Sequence, residues 1–333
     1  MQSCSLEITN YCNHHCLKCL HSKFNKMPRK LGMLSFDKWK YIIDHLYTYE
    51  YIGIGGAGES TLHPQFYDFI DYIYCKNPVA KVGFHSNGST LDREHMEFYI
   101  KYNINDISFS VDAASTKTHS IVHGLLDKND DFKKIMNSIE EFVELKKEKD
   151  SKIKISLSFI IQPENIYDLL PFLQYLQRHP DIPAGPIKMI SPKLGYSTEN
   201  NDISLKCVLD ECNRYIQLNS MNVQLPVLGQ VKNGSVNVQQ LDWCSCSFPF
   251  VLYPITTWDG YVMPCVWVNE IKYALGNIFE QNFNEVVYGE KRKLIEKVFK
   301  EKKYFEFCHN CLPLGTYSKK IMITDEVYYG KDI

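Results

Sequence analysis

Apolar positions along the first two-thirds of the chain alternate between runs of strand length and runs with a helical period. Residues 3–9, "SCSLEIT", form a short apolar-rich strand. In "SFDKWKYIIDHLYTYE" (35–50), Trp39, Ile42, Ile43 and Leu46 recur at helical spacing, and Ser35 is placed to cap the helix. "YIGIG" (51–55) reads as the next strand and "PQFYDFIDYIYC" (64–75) as the next helix, with Pro64 near its first turn. The pair repeats as "AKVGFHS" (80–86) with "DREHMEFYIKYN" (92–103), and as "DISFSVDA" (106–113) with "DFKKIMNSIEEFVELKKEK" (131–149). "KIKISLSFII" (152–161), "NIYDLLPFLQYLQRH" (165–179) and a strand near "PIKMI" (186–190) complete the series.

Six strands, each but the last followed by a helix, predict parallel pairing through right-handed crossovers. Such a chain is α/β, either doubly wound or a full or partial βα barrel, and its chemistry collects at the C-terminal ends of the strands. After Ile190 the pattern changes. "SPKLGYSTENND" is polar and turn-rich, and a helix over roughly 205–218 follows. From about residue 220 the strands shorten and a second domain is expected. No internal repeat or low-complexity tract is visible.

Charge narrows the function classes. In 333 residues, 37 basic side chains meet 39 acidic ones, so there is no electrostatic footprint for nucleic acid or anionic lipid. The N-terminus lacks the basic and apolar regions of a signal peptide, and no apolar run reaches membrane-spanning length. A cytoplasmic protein without nucleic-acid or membrane partners is expected, and, with the first strand beginning by residue 4, no peptide-recognition domain is expected ahead of it.

Twelve cysteines then change the picture. In a reducing compartment, clustered thiols point to metals or redox chemistry before disulfides. Cys4, Cys75, Cys207 and Cys212 are scattered and read as small buried residues. The others gather as Cys12, Cys16 and Cys19, and as Cys244, Cys246, Cys265, Cys308 and Cys311. The first group, C-x₃-C-x₂-C, follows strand one directly. A closed zinc site needs a fourth ligand, for which His14, His15 or His21 are candidates. A 4Fe–4S cluster held by three thiolates keeps one iron open, which is a catalytic arrangement. Cys265, Cys308 and Cys311, with Cys246 or Cys244 as the fourth, make a closed four-thiolate set, zinc or 4Fe–4S by spacing alone.

The chain resembles the radical S-adenosylmethionine (SAM) enzymes. The resemblance rests on the cysteine loop, on "GGAGESTLHP" (55–64) ending strand two, "HSNGSTLD" (85–92) after strand three, "SFSVDA" (108–113) at strand four and "FIIQPEN" (159–165) at strand five. It implies a partial (βα)6 barrel over residues 1–200, with Cys12, Cys16 and Cys19 on a SAM-binding cluster. Gly56, Ala57, Gly58 and Glu59 are then expected on the SAM amino group, Ser110 and Asp112 on its ribose, and Asn87 and His123 also at the cofactor. His123 stands in "SIVHG" where an arginine often pairs with the SAM carboxylate. Lys18 replaces a frequent aromatic, and Ser60 a frequent proline.

"DGYVMPC" with "LGNIFE" and the terminal "CHNC" resembles the SPASM/twitch extension, which implies an auxiliary 4Fe–4S cluster on Cys246, Cys265, Cys308 and Cys311. The expected layout is the core at 1–200, a linker helix region at 201–225 and the auxiliary domain at 226–333. The resemblance implies reductive cleavage of SAM to a 5′-deoxyadenosyl radical that abstracts hydrogen from a substrate C–H bond, with an external donor such as flavodoxin or ferredoxin. Oxidative modification of a ribosomally made peptide is the leading expectation. The alternatives are dehydrogenation of a small polar metabolite such as an aminocyclitol, a redox-neutral epimerisation, and a non-catalytic iron–sulfur or zinc protein. No residue is singled out as catalytic acid, base or hydrogen donor.

Overall fold

The computed structural model describes residues 2–19, 29–125, 131–189, 202–226, 228–232, 235–238, 253–266, 268, 270–301, 304–305 and 322–323. The first two-thirds contain β1 (Ser3–Leu6), α1 (Phe36–Leu46), β2 (Tyr51–Ile54), α2 (Phe66–Lys76), β3 (Lys81–Ser86), α3 (Arg93–Lys101), β4 (Asp106–Ser110), α4 (Thr116–Val122), α5 (Phe132–Glu148), β5 (Lys154–Ile161), α6 (Leu169–Arg178) and β6 (Ala184–Met189). Then come α7 (Asp202–Leu218), the hairpin β7 (Leu228–Lys232) and β8 (Ser235–Val238), β9 (Ile255–Thr256), β10 (Tyr261–Met263) and β11 (Gly276–Asn277). Helices α8 (Phe283–Tyr288) and α9 (Glu290–Lys300) and the short pair β12 (Tyr304–Phe305) and β13 (Met322–Ile323) follow. The chain forms two compact units, residues 1–11 with 28–82 and 240–333, and residues 12–27 with 83–239.

In the first unit the strand order is β11-β10-β9-β1-β2. β1 runs parallel to β2, with Ser3 opposite Tyr51 and Leu6 opposite Ile54. On its other side β1 runs parallel to β9, and β9, β10 and β11 form an antiparallel meander. The helical period of α1 places Trp39, Ile42, Ile43 and Leu46 in the core, as expected, and α2 contributes Phe66, Phe69, Ile70 and Ile73. Trp39 stacks on Phe69 at 4.8 Å, and its indole N–H donates to the Phe69 carbonyl at 3.0 Å. Burial of each such ring is worth about 1.5–3 kcal/mol. Ser35 caps α1 by accepting from the Lys38 N–H.

In the second unit the strands are parallel in the order β3-β4-β5-β6. Alternation along them sorts two faces. Phe84 of β3 packs on Tyr99 of α3, which meets Phe142 of α5, and Phe159 of β5 packs on Phe172 of α6. On the opposite face His85, Ser108 and Ser156 stand in register, followed by Ser110 and Ser158. A sheet of this kind usually carries aliphatics on both faces; here one face is polar.

One element escaped the sequence pattern. Helix α4 has seven residues, rich in threonine, serine and valine, which favour helix weakly. Ser115 caps it by accepting from the Thr118 N–H. β1 also ends at Leu6, short of the expected Thr9, though the Glu7 N–H continues the pairing toward β9 by donating to the Thr256 carbonyl at 2.9 Å.

Candidate active site

The cysteine loop of the second unit is held by backbone and amide bonds. The His15 and Leu17 N–H groups donate to the His123 and Val122 carbonyls, both at 2.9 Å, which seats the loop on the end of α4. After β3, Asn87 accepts from the Ser89 N–H at 3.0 Å and hydroxyl at 2.7 Å, and donates to Asn13 Oδ1 at 2.8 Å. Asn13 in turn donates to Ser89 at 2.8 Å, and Asn87 Nδ2 lies 3.9 Å from Cys12 Sγ. Asn87 thus ties a strand-end turn to the first cysteine.

The three thiols share this one loop. Cys12 is exposed and Cys16 and Cys19 are half-buried. Burial, then the charges of Cys19, Cys12 and Asp112, push the Cys16 thiol well above its ordinary value. Soft thiolates that destabilise one another's charge fit a cationic iron cluster, which offsets the repulsion while taking all three as ligands.

His123 Nε2 lies 2.9 Å from the Val111 carbonyl, so that nitrogen carries the proton. Nδ1 then faces Cys16 Sγ at 3.1 Å as acceptor. Both ring nitrogens therefore meet the chain itself. Burial keeps His123 below its ordinary pKa, with Asp112 opposing. His14 and His119 pack around it at 5.1 and 4.3 Å between ring centroids. His14, Cys16 and His123 bring one ligand atom each within 4.8 Å of one another. The zinc alternative thus has His14 at hand, while His21 lies outside the described residues.

At the ends of β4 and β5, Asp112 adopts a left-handed backbone with φ of 53°. Its Oδ1 accepts from the Ile160 N–H at 2.6 Å, and burial raises its carboxyl above the usual range. Asn165 donates to the Asp112 and Ile160 carbonyls at 2.8 and 2.9 Å and accepts from the Gln162 N–H at 2.8 Å. Ser110 and Ser158 hydroxyls stand 3.5 Å apart. Asp112 therefore stitches two strand ends, with Ser110 beside that seam. Lys18 pairs with Glu164 at 3.4 Å.

In the first unit the glycine segment follows β2. The Glu59 N–H donates to the Tyr11 carbonyl at 2.8 Å, and a Cβ on Gly58 would stand 2.4 Å from that oxygen, so only glycine fits there. The buried Glu59 carboxylate accepts from the Thr61 N–H at 3.2 Å and hydroxyl at 2.7 Å through Oε1, capping the short turn Ser60–Leu62. Ala57 is buried, and its N–H donates to Glu7 Oε2 at 2.7 Å.

A family model described as the radical SAM superfamily matches residues 6–176, and one described as an iron–sulfur cluster-binding domain (SPASM) matches residues 246–312. The chain belongs to the radical SAM superfamily. The cofactor-modifying protein of tungsten-containing aldehyde ferredoxin oxidoreductase from Pyrococcus furiosus is 23% identical over 306 residues, 86% of this chain and 80% of that protein. The mycofactocin maturase MftC of Mycobacterium tuberculosis is 32% identical over 120 residues, 35% of this chain and 29% of the maturase. The structure of native anSMEcpe with bound AdoMet and Cp18Cys peptide aligns with TM-score 0.61 and 18% identity, covering 93% of this chain and 86% of that one. The fold is thus the partial barrel with a C-terminal domain that these neighbours share.

A radical SAM domain followed by SPASM implies an enzyme with SAM and two 4Fe–4S clusters as cofactors. Of the expected auxiliary ligands, Cys265 is buried just after β10, and its carbonyl accepts from the Val268 N–H at 3.1 Å. Cys246, Cys308 and Cys311, and the spare Cys244, lie outside the described residues. Among the scattered cysteines, Cys4 and Cys212 are buried as expected, whereas Cys75 and Cys207 are exposed. Burial pushes the Cys212 thiol up to about 12. The contact of His123 with Cys16 spans 107 positions and carries no local signal. Glu7 and Arg29 lie outside every motif quoted above, though an acid at a strand end and an arginine past a cysteine loop are visible signals.

Proposed function

We propose that this radical SAM enzyme oxidatively modifies a ribosomally made peptide. The observation that carries the chemistry is the placing of Cys12, Cys16 and Cys19 on one loop tied to α4 and Asn87, in a chain that also matches SPASM. When bound, the SAM-ligated cluster supplies one-electron cleavage of SAM and hydrogen-atom abstraction. In this reading the three cysteines hold the cluster, Gly56–Glu59 receives the SAM amino group, Ser110 and Asp112 stand toward the ribose, and Asn87 orients the loop. His123 stands beside Cys16 with Nε2 bonded to the Val111 carbonyl, and in this reading Nδ1 is the nitrogen left to turn to the SAM carboxylate once Cys16 is a thiolate ligand. Cys246, Cys265, Cys308 and Cys311 hold the auxiliary cluster and pass on the substrate's electron. The core extends over 1–200, the linker helix region over 201–225 and the auxiliary domain over 226–333. A flavodoxin or ferredoxin in the cytoplasm is the matching electron donor.

The peptide reading draws support from the fold shared with anSMEcpe, whose structure holds a peptide, and from the likeness to a maturase. A second reading, dehydrogenation of a small polar metabolite, is favoured by the face carrying His85, Ser108, Ser156, Ser110 and Ser158. Anaerobically reconstituted protein with SAM and dithionite should release 5′-deoxyadenosine, and the Cys12→Ala, Cys16→Ala, Cys19→Ala triple variant should not. Adding a peptide-sized fraction of a cell extract should yield a product lighter by one pair of hydrogens. Loss of that product after protease treatment of the fraction supports the peptide reading; its survival decides for the metabolite. A product of unchanged mass carrying solvent deuterium would mean epimerisation instead.

A further inference from the structure

Glu7 is buried at the end of β1, 4% exposed, and every hydrogen-bonding direction of its carboxylate is used. Arg29, 7% exposed, grips it side-on, Nη1 to Oε1 at 2.7 Å and Nη2 to Oε2 at 2.8 Å. The Ala57 N–H donates to Oε2 at 2.7 Å, and the Trp258 N–H to Oε1 at 3.3 Å. Asp259 adds a second carboxylate 3.9 Å from Arg29 Nη1. Close approach seals the arrangement. A Cβ on Gly56 would stand 2.5 Å from Glu7 Oε2, and one on Gly32 would stand 2.2 Å from the Trp258 ring. Four segments of the first unit therefore meet on one carboxylate: the end of β1, the loop after the cysteines, the glycine segment after β2, and the turn between β9 and β10.

We propose that Glu7 and Arg29 are positioning residues for SAM, and that the Trp258–Asp259 turn of the SPASM region sets the glycine segment's shape through them. The inference rests on the reading that Gly56–Glu59 receives the SAM amino group. Ala57 lies inside that segment, two residues before Glu59, and its N–H is aimed by Glu7. A carboxylate accepts from all four donors; an amide cannot, because its NH₂ would face either the guanidinium fork or a backbone N–H. The C-terminal region is then part of the SAM site's frame as well as the carrier of an auxiliary cluster.

The test uses the full-length, anaerobically reconstituted protein with SAM itself as probe. Glu7→Gln should keep iron content while weakening SAM affinity roughly 10-fold or more, the usual cost of losing an outer partner. The change that SAM causes in the reduced cluster's electron paramagnetic resonance spectrum should shrink in parallel. Should Glu7→Gln fail to fold, the double variant Glu7→Leu, Arg29→Leu decides, because an apolar pair of like volume often restores stability. A native-like melting temperature with SAM affinity still weakened supports positioning. Native SAM affinity in folded Glu7→Gln, or recovery of both stability and affinity in the double variant, overturns it. Glu59→Gln separates the underlying reading: native SAM affinity there refutes the glycine-segment assignment, whereas weakened affinity there with native affinity in Glu7→Gln refutes the clasp alone.

Discussion

The two units bury polar groups in opposite ways. In the first, Glu7 and Arg29 form a bidentate pair whose remaining capacity is taken by the Ala57 and Trp258 N–H groups. In the second, Cys16 and Asp112 sit where burial raises both; Cys16 faces Cys19, Cys12 and Asp112, and Asp112 has His123 nearby and the single N–H of Ile160. A buried charge is stable only when paired and hydrogen-bonded. The first unit satisfies that condition at Glu7 from one guanidinium and two backbone N–H groups. The second leaves thiols that become low in energy as charged ligands only beside a cation.

The largest expected effect attacks the second unit. Changing Cys12, Cys16 and Cys19 to Ala should remove all SAM cleavage and about half of roughly eight irons per chain, reasoning from one four-iron cluster per cysteine group. Iron assay and chromatography of 5′-deoxyadenosine measure both. Retained cleavage would erase the contrast between the units. Next in size, Glu7→Ala should lose about 3–5 kcal/mol of stability, since it removes the bidentate partner of the buried Arg29 and leaves it only Asp259 at 3.9 Å. Denaturant unfolding checks this, and a loss below about 1 kcal/mol would mean that water reaches Arg29.

Asp112→Asn sharpens the comparison from the other side. The amide oxygen can still accept from the Ile160 N–H, and the carboxyl it replaces is already biased toward its neutral form. A change within about 1.5 kcal/mol is expected, the worth of one neutral hydrogen bond. A loss as large as that of Glu7→Ala would place a paired charge in both units. The smallest effect is a pH dependence of the first unit. His63 Nε2 donates to the Leu34 carbonyl at 2.9 Å, and Nδ1 accepts from the Gln65 N–H at 3.1 Å. Burial holds its pKa below the ordinary 6.5. The unfolded chain therefore binds its proton first as pH falls, so stability declines from 6.5 downward until the folded pKa is passed. His63→Gln should flatten that slope in thermal melts between the two values, and an unchanged slope would assign it to other groups.

Much of this is legible in the sequence. Alternation and helical period placed the six parallel-type strands and most of their helices, because both are recorded within ten or so neighbouring residues. The C-x₃-C-x₂-C spacing after β1 pointed to a metal or cluster for the same local reason, and the resemblance to the radical SAM enzymes supplied the rest. Helix α4 was not legible, being short and built from weak helix formers held by one cap. Nor was the polar face of the second unit, since "SFS" and "SLS" alternate equally well with serine toward water or toward a cavity.

The tertiary structure alone decided which distant groups meet. Cys16 finds His123 across 107 positions, and Glu7 finds the Trp258 amide across 251. The entropy of closing such loops rises only logarithmically with their length, so sequence separation hardly constrains the partner. The choice is made by the packing of strands and by the demand that every buried carboxylate, guanidinium and amide be satisfied. That demand holds over the whole fold and leaves no periodic trace in the chain.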